Sequence, residues 1–177
     1  MESGGIECRG RRVVFKSYME VLPNGRKVRV DRVEFPDSVA VLPLYTAGRE
    51  VVLLRQYRPS IGRWILEAPA GTLKPGEPPE EAARRELEEE AGLKAARLVR
   101  VAAGYLAPGY STEKMTLYIA PDPLEGEARP EEHEVLTTVK MKLEEAMGKA
   151  EKGEIEDVKT ILLLLAARIY LETLQQR

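Results

Sequence analysis

The sequence predicts a protein of mixed α/β (α+β) class with mostly antiparallel or mixed strand pairing. Three observations predict it: β-patterned runs paired around turn signals in the first third, one isolated charged helix in the middle, and two helical patterns at the end. Residues 1–12 carry no apolar stretch and read as a tail, with Cys8 inside it. Residues 13–21 and 27–35 flank "PNGR", a hairpin turn signal, and residues 39–44 and 50–56 form a second pair around "TAGR". The central helix begins at Pro78 and Pro79, because proline fits where first-turn N–H groups lack partners, and Glu80 and Glu81 suit its positive end. Gly92 suits the position just past its end. Strands are expected near residues 97–102, 114–120 and 135–141, then helices over 143–152 and 158–174, separated by Gly153. This order divides the chain into an N-terminal hairpin region, residues 1–35, and a main domain, residues 36–177.

Composition narrows the function classes. With 177 residues, 44% hydrophobic and 32% charged, the chain can bury a core of its own and is not of the disordered class. A formal net charge of −2 gives no reason to expect nonspecific binding to nucleic acid or to acidic membranes. The longest apolar run, residues 161–167, is far below the roughly 18 residues a membrane span needs. A single cysteine excludes an internal disulfide; with no secretory segment at the start, it points to a reducing compartment, the cytoplasm. Asn24 is the only asparagine, and depletion of thermolabile amides with abundant charge is a pattern of heat-adapted proteins.

The stretch "GTLKPGEPPEEAARRELEEEAGL", residues 71–93, sets the functional question. At about 100° per residue, Glu86, Glu89 and Glu90 share one helix face, beside a small apolar stripe of Ala83, Leu87 and Ala91. Like charges at these spacings disfavour a helix by a few tenths of a kcal/mol per pair. One reading is a solvated face paired with Arg84 and Arg85. The other is a set of oxygen ligands on one rigid element, as a hard divalent cation requires. Gly71 and Gly76 are spaced as in a phosphate-binding P-loop, but Glu77 stands where that motif needs lysine.

The same stretch resembles the Nudix box, a pattern of glycine, five residues, glutamate, seven residues, then Arg-Glu-apolar-x-Glu-Glu-x-Gly-apolar. Gly71, Glu77, Arg85, Glu86, Leu87, Glu89, Glu90, Gly92 and Leu93 fill its nine specified positions. The resemblance implies the Nudix fold, a mixed sheet sandwiched between helices, and hydrolysis of a nucleoside diphosphate linked to another group. It implies two or more Mg²⁺ or Mn²⁺ ions, with Glu86 and Glu90 as principal ligands. Glu89 would be a further ligand or touch metal-bound water during catalysis, and the Ala70 carbonyl would join the shell. Gly71, Glu77, Arg85 and Gly92 would shape the box.

"LEAPAG", residues 66–71, resembles the approach to the box in ADP-ribose pyrophosphatases, and Pro108 follows Gly92 by 16 residues, as that subfamily's marker proline does. That likeness implies that Glu67, Thr72, Ala107, Pro108, Gly109 and Glu113 line the substrate pocket and that Arg58 meets a phosphate. It further implies a homodimer in which the hairpin reaches across to the adenine, with Arg29 and Asp31 as candidates there. The subfamily's general base is a glutamate on a mobile acidic loop, matching "PEEHE", residues 130–134. Glu132 is the expected base with Glu131 competing, and Glu134 the expected additional ligand. His133, the only histidine, stands where that loop often carries an acid.

The reading is therefore Mg²⁺-dependent hydrolysis of ADP-ribose to AMP and ribose 5-phosphate. Two alternatives stay open: another nucleoside-diphosphate sugar such as GDP-mannose, and a sensor that binds ADP-ribose without cutting it.

Overall fold

The computed structural model describes residues 5–130 and 134–176. The chain forms two compact units, residues 1–38 with 103–115 and residues 39–102 with 116–177.

In the first unit, β1 (Ile6–Arg9), β2 (Val14–Val21) and β3 (Lys27–Glu34) make a three-stranded antiparallel sheet in the order β1-β2-β3. The expected hairpin is present, with Phe15 opposite Val33 and Tyr18 opposite Val30. Its turn closes through the Leu22 N–H on the Arg26 carbonyl at 2.8 Å, with Gly25 at φ 79°. The expected N-terminal tail is a correction: Cys8 lies in β1, opposite Phe15. All four residues of β1 are exposed, and an alternation of apolar and polar residues only four long is too short to set it apart from a tail in the sequence. Segment 103–115 joins this unit through the Val33 N–H on the Tyr110 carbonyl at 2.7 Å and the Thr112 N–H on the Val33 carbonyl at 3.0 Å.

The second unit is built on a seven-stranded mixed sheet. The strands of that sheet are β4 (Ser38–Tyr45), β5 (Glu50–Arg58), β6 (Arg63–Glu67), β7 (Ala70–Thr72), β9 (Val99–Tyr105), β10 (Lys114–Pro121) and β12 (Leu136–Lys142), of which residues 38, 103–105 and 114–115 are part of the first unit. Its main path runs β12-β5-β4-β10-β9, with β6 added to β5 and β7 to β4. Two short strands, β8 (Leu93–Lys94) and β11 (Leu124–Glu125), pair with each other. Every residue of β4 but Tyr45 is buried, the near-continuous apolar run of a strand covered on both faces.

Three helices complete the unit: α1 (Pro79–Ala91), α2 (Leu143–Glu151) and α3 (Val158–Gln175). Helix α1 starts at Pro79 and ends at Gly92, whose φ of 64° is the left-handed conformation that glycine adopts without penalty. Its Ala82, Ala83 and Leu87 pack with Val39, Val41, Val52, Tyr118 and Ala120. That packing leaves the carboxylates of the next turn facing the β7 end of the sheet. No helix among the described residues is long and apolar enough to cross a membrane.

Leu87 is fully buried at the centre of this contact. Leu87→Ala is expected to lower stability by about 2–5 kcal/mol, through lost burial and the cavity left behind. Urea denaturation measures it.

Candidate active site

The carboxylates of α1 are gathered by one cation. Arg85 presents Nε to Glu77 Oε1 at 2.8 Å and Nη2 to Glu77 Oε2 at 2.9 Å, a bidentate pair. Its Nη1 then donates to Glu86 Oε1 at 2.7 Å and to Glu89 Oε2 at 3.0 Å, and Nη2 also reaches the Thr72 carbonyl at 3.2 Å. Glu77 accepts a further bond from the Lys74 N–H at 2.8 Å. The Arg85 bond, opposed by partial burial, holds the Glu77 carboxyl down to about 2. Arg85 in turn is held above its ordinary value, first by Glu77 and further by Glu86 and Glu89. Arg84 faces elsewhere, bonding Glu80 and the Ala95 carbonyl.

Glu86 and Glu90 are buried on the same face. Gly71 makes room for Glu86: a Cβ at position 71 would lie 1.9 Å from Glu86 Oε1. Glu90 Oε2 accepts the Ala70 N–H at 2.9 Å, tying α1 to β7. Burial, with Glu86 and Glu134 adding to it, pushes the Glu90 carboxyl up to about 8, against the pull of the Ala70 N–H and Arg58. Burial raises Glu86 as well, opposed by Arg85 and reinforced by Glu89 and Glu134. Glu134 thus lies within electrostatic reach of both.

Among the described residues, no three His, Cys, Asp or Glu side chains stand together in a way that could hold a metal ion. The bonds explain the arrangement: Glu86 and Glu89 turn oxygens to Arg85, and Glu90 turns one to Ala70. Their chemistry still suits a hard cation, because carboxylates crowded at low dielectric gain most from a divalent charge. The oxygens of Glu86, Glu89 and Glu90, with the backbone at Ala70, are the groups that could hold one.

Arg58 ends β5 and bonds the buried Glu67, Nε to Oε1 at 2.7 Å and Nη2 to Oε2 at 2.8 Å. The remaining candidates belong to the first unit. There Arg29 Nη1 donates to Ser17 Oγ at 3.4 Å, and Asp31 sits opposite Ser17 on the neighbouring strand. Ala107, Pro108 and Gly109 form a turn whose Ala107 carbonyl accepts from the Tyr110 N–H at 3.1 Å and the Ser111 N–H at 2.8 Å. Glu113 accepts from Ser38 Oγ at 2.7 Å. Glu131, Glu132 and His133 lie outside the described residues.

The NUDIX domain pattern matches residues 34–164. The chain belongs to the Nudix family. It is 37% identical to the ADP-ribose pyrophosphatase of Bacillus subtilis (strain 168) over 78% of this chain and 76% of that one. It is also 34% identical to the GDP-mannose pyrophosphatase of Cronobacter sakazakii (strain ATCC BAA-894), over 72% of this chain and 71% of that one. A solved structure described as the crystal structure of ADP compounds hydrolase superposes with a TM-score of 0.83 at 26% identity. It covers 97% of this chain and 93% of its own.

Sequence reasoning missed two supports of this Nudix site. The first is the root of the acidic loop, which docks on the end of α1: the Gly126 N–H donates to the Gly92 carbonyl at 2.7 Å and the Arg129 N–H to the Glu89 carbonyl at 2.8 Å. A Cβ on Gly92 would lie 2.9 Å from the Ala128 nitrogen, so Gly92 both ends the helix and admits the loop. Arg85, Glu88, Glu89, Lys94, Glu127 and Arg129 line a cavity of 610 Å³ there. The second support is the start of α3. Lys159 Nζ donates to Glu67 Oε2 at 2.8 Å, and the Ala68 N–H donates to Thr160 Oγ at 2.7 Å. The one local signal was Asp157, a helix-capping residue just before the apolar run.

Because the folded Glu77 pKa is depressed from 4.5 to about 2, its stabilisation is present above pH 4.5 and lost as pH falls toward 2. Glu77→Gln is expected to flatten the fall in stability across that window and to lower stability at neutral pH. Denaturant titrations of both proteins between pH 2 and 7 measure it.

Proposed function

We propose that this Nudix hydrolase cleaves ADP-ribose to AMP and ribose 5-phosphate in the presence of Mg²⁺ or Mn²⁺. The observation that carries the reading is the folded box: Glu86 and Glu90 buried beside Ala70, with Glu86 seated in the space that Gly71 leaves open. The substrate is supported by "LEAPAG", by Pro108, and by the relative from Bacillus subtilis.

In this reading Glu86, Glu89, Glu90, Glu134 and the Ala70 carbonyl would hold two or more cations, whose positive charge would offset that developing on the diphosphate. Arg85 and Glu77 keep the carboxylates aimed. Arg58 binds a phosphate, with Glu67 and Thr72 also on the second unit, and Ala107, Pro108, Gly109 and Glu113 are the first unit's candidates for substrate contact. Water attacks one phosphorus, the anhydride P–O bond breaks toward the other, and the proton of the water goes to Glu132, with Glu131 the competing base. The N-terminal unit pairs with a second copy, bringing Arg29 and Asp31 to the adenine; exposure of Ile6, Phe15, Met19 and Val21 in that unit supports a partner surface.

A second reading, hydrolysis of GDP-mannose, is favoured by the relative from Cronobacter sakazakii. A panel of nucleoside-diphosphate sugars compared by kcat/KM separates the two.

Phosphorus NMR of ADP-ribose incubated with the protein tests the reaction. AMP and ribose 5-phosphate are expected with Mg²⁺ and no turnover with EDTA; ADP-ribose left intact in Mg²⁺ contradicts the proposal. Glu90→Gln is expected to lower kcat by more than about 100-fold, exceeding the loss typical of residues that only orient a metal ligand, with the fold retained by circular dichroism.

A further inference from the structure

Lys159 occupies a position that elementary electrostatics opposes. It stands in the first turn of α3, at the positive end of the helix dipole, and its side chain is only 12% exposed. Two carboxylates resolve the conflict. Lys159 Nζ donates at 2.8 Å to Glu67 Oε2 and at 2.8 Å to Asp157 Oδ1. Asp157 also caps the helix by accepting the Thr160 N–H at 3.1 Å and the Thr160 hydroxyl.

Lys159 and Thr160 thus grip Glu67 and Ala68, two adjacent residues against two adjacent residues. The grip continues along the link into β7. The Val41 N–H donates to the Pro69 carbonyl at 2.9 Å, and the Ala70 N–H donates to Glu90. Residues 67 to 70 are therefore held in turn by α3, β4 and α1.

We infer that Lys159 is a positioning residue for the anionic substrate, sharing Glu67 with Arg58 so that the guanidinium keeps both its place and its pull on a diphosphate. The inference rests on the reading that Arg58 meets a substrate phosphate. Arg58 spends Nε and Nη2 on Glu67, and among the described residues its Nη1 has no acceptor. The formal charges of Arg58, Lys159, Glu67 and Asp157 sum to zero, and without Lys159 they sum to −1. A negative cluster repels a diphosphate, and without Lys159 the Arg58 guanidinium is left as the only cation on Glu67 among the described residues.

The test titrates ADP-ribose calorimetrically in EDTA, where nothing turns over, and measures KM and kcat with Mg²⁺, each beside a thermal melt. Lys159→Met is expected to weaken Kd and raise KM about ten-fold, as loss of a charged hydrogen bond does, with kcat changed less than about two-fold. Lys159→Arg is expected to restore both to within about three-fold. Arg58→Met, run in parallel, separates the two levels of the argument. Wild-type Kd and KM in Lys159→Met, with Arg58→Met weakened, overturn the inference and leave the reading of Arg58 standing. Wild-type affinity in both variants overturns both. Should Lys159→Met not fold, Lys159→Gln replaces it: rescue by Arg but not by Gln supports the inference, and equal affinity of the two overturns it.

Discussion

The site depends on one guanidinium. Arg85 holds Glu77 by a two-point bond and still reaches Glu86 and Glu89 with its remaining edge. Adjacent like charges on a helix oppose its formation by only a few tenths of a kcal/mol per pair. A partly buried, bidentate, charge-assisted pair is worth more than that, so the helix tolerates a face it would otherwise disfavour. Arg85 also bonds the Thr72 carbonyl, which fixes the helix against the strand that leads into it. Removing Arg85 would therefore loosen both the spacing of the carboxylates and their placement against β7.

Burial supplies the second half of the design. Glu90 lies almost fully inside the protein with the Ala70 N–H as its fixed hydrogen bond, and its carboxyl is pushed up to about 8 mainly by loss of water. A carboxylate held where it is costly to ionise is one that gains strongly from a cation at short range. Gly71 makes the same point sterically, since any side chain there would occupy the place of the Glu86 carboxylate. Helix period, glycine spacing and desolvation thus converge on one small volume at the end of β7. Around that volume the acidic loop docks on the last turn of α1, and α3 clamps the link between β6 and β7.

What could be read from the sequence was local. Pro79 and Gly92 bound α1 because each acts through its own backbone conformation, and the shared face of Glu86, Glu89 and Glu90 follows from helical period alone. The hairpin around "PNGR" and the long strands β4, β5 and β10 were legible for the same reason, as their alternation or apolar run spans enough residues to register. Strands β7, β8 and β11 have three, two and two residues, too few to carry a period. The pairing of Lys159 with Glu67 joins residues 92 positions apart, and nothing local in either segment specifies it. The bidentate hold of Glu67 on Arg58 was likewise invisible, since sequence places Arg58 only at a strand end.

Whether the carboxylates of α1 form a cation site is decided by titrating Mn²⁺ into the protein and following the free ion by electron paramagnetic resonance. Saturable Mn²⁺ binding to the wild-type protein is expected, with Mg²⁺ competing for the sites and the tighter ones lost in Glu90→Gln. Unchanged stoichiometry and affinity in Glu90→Gln would contradict it.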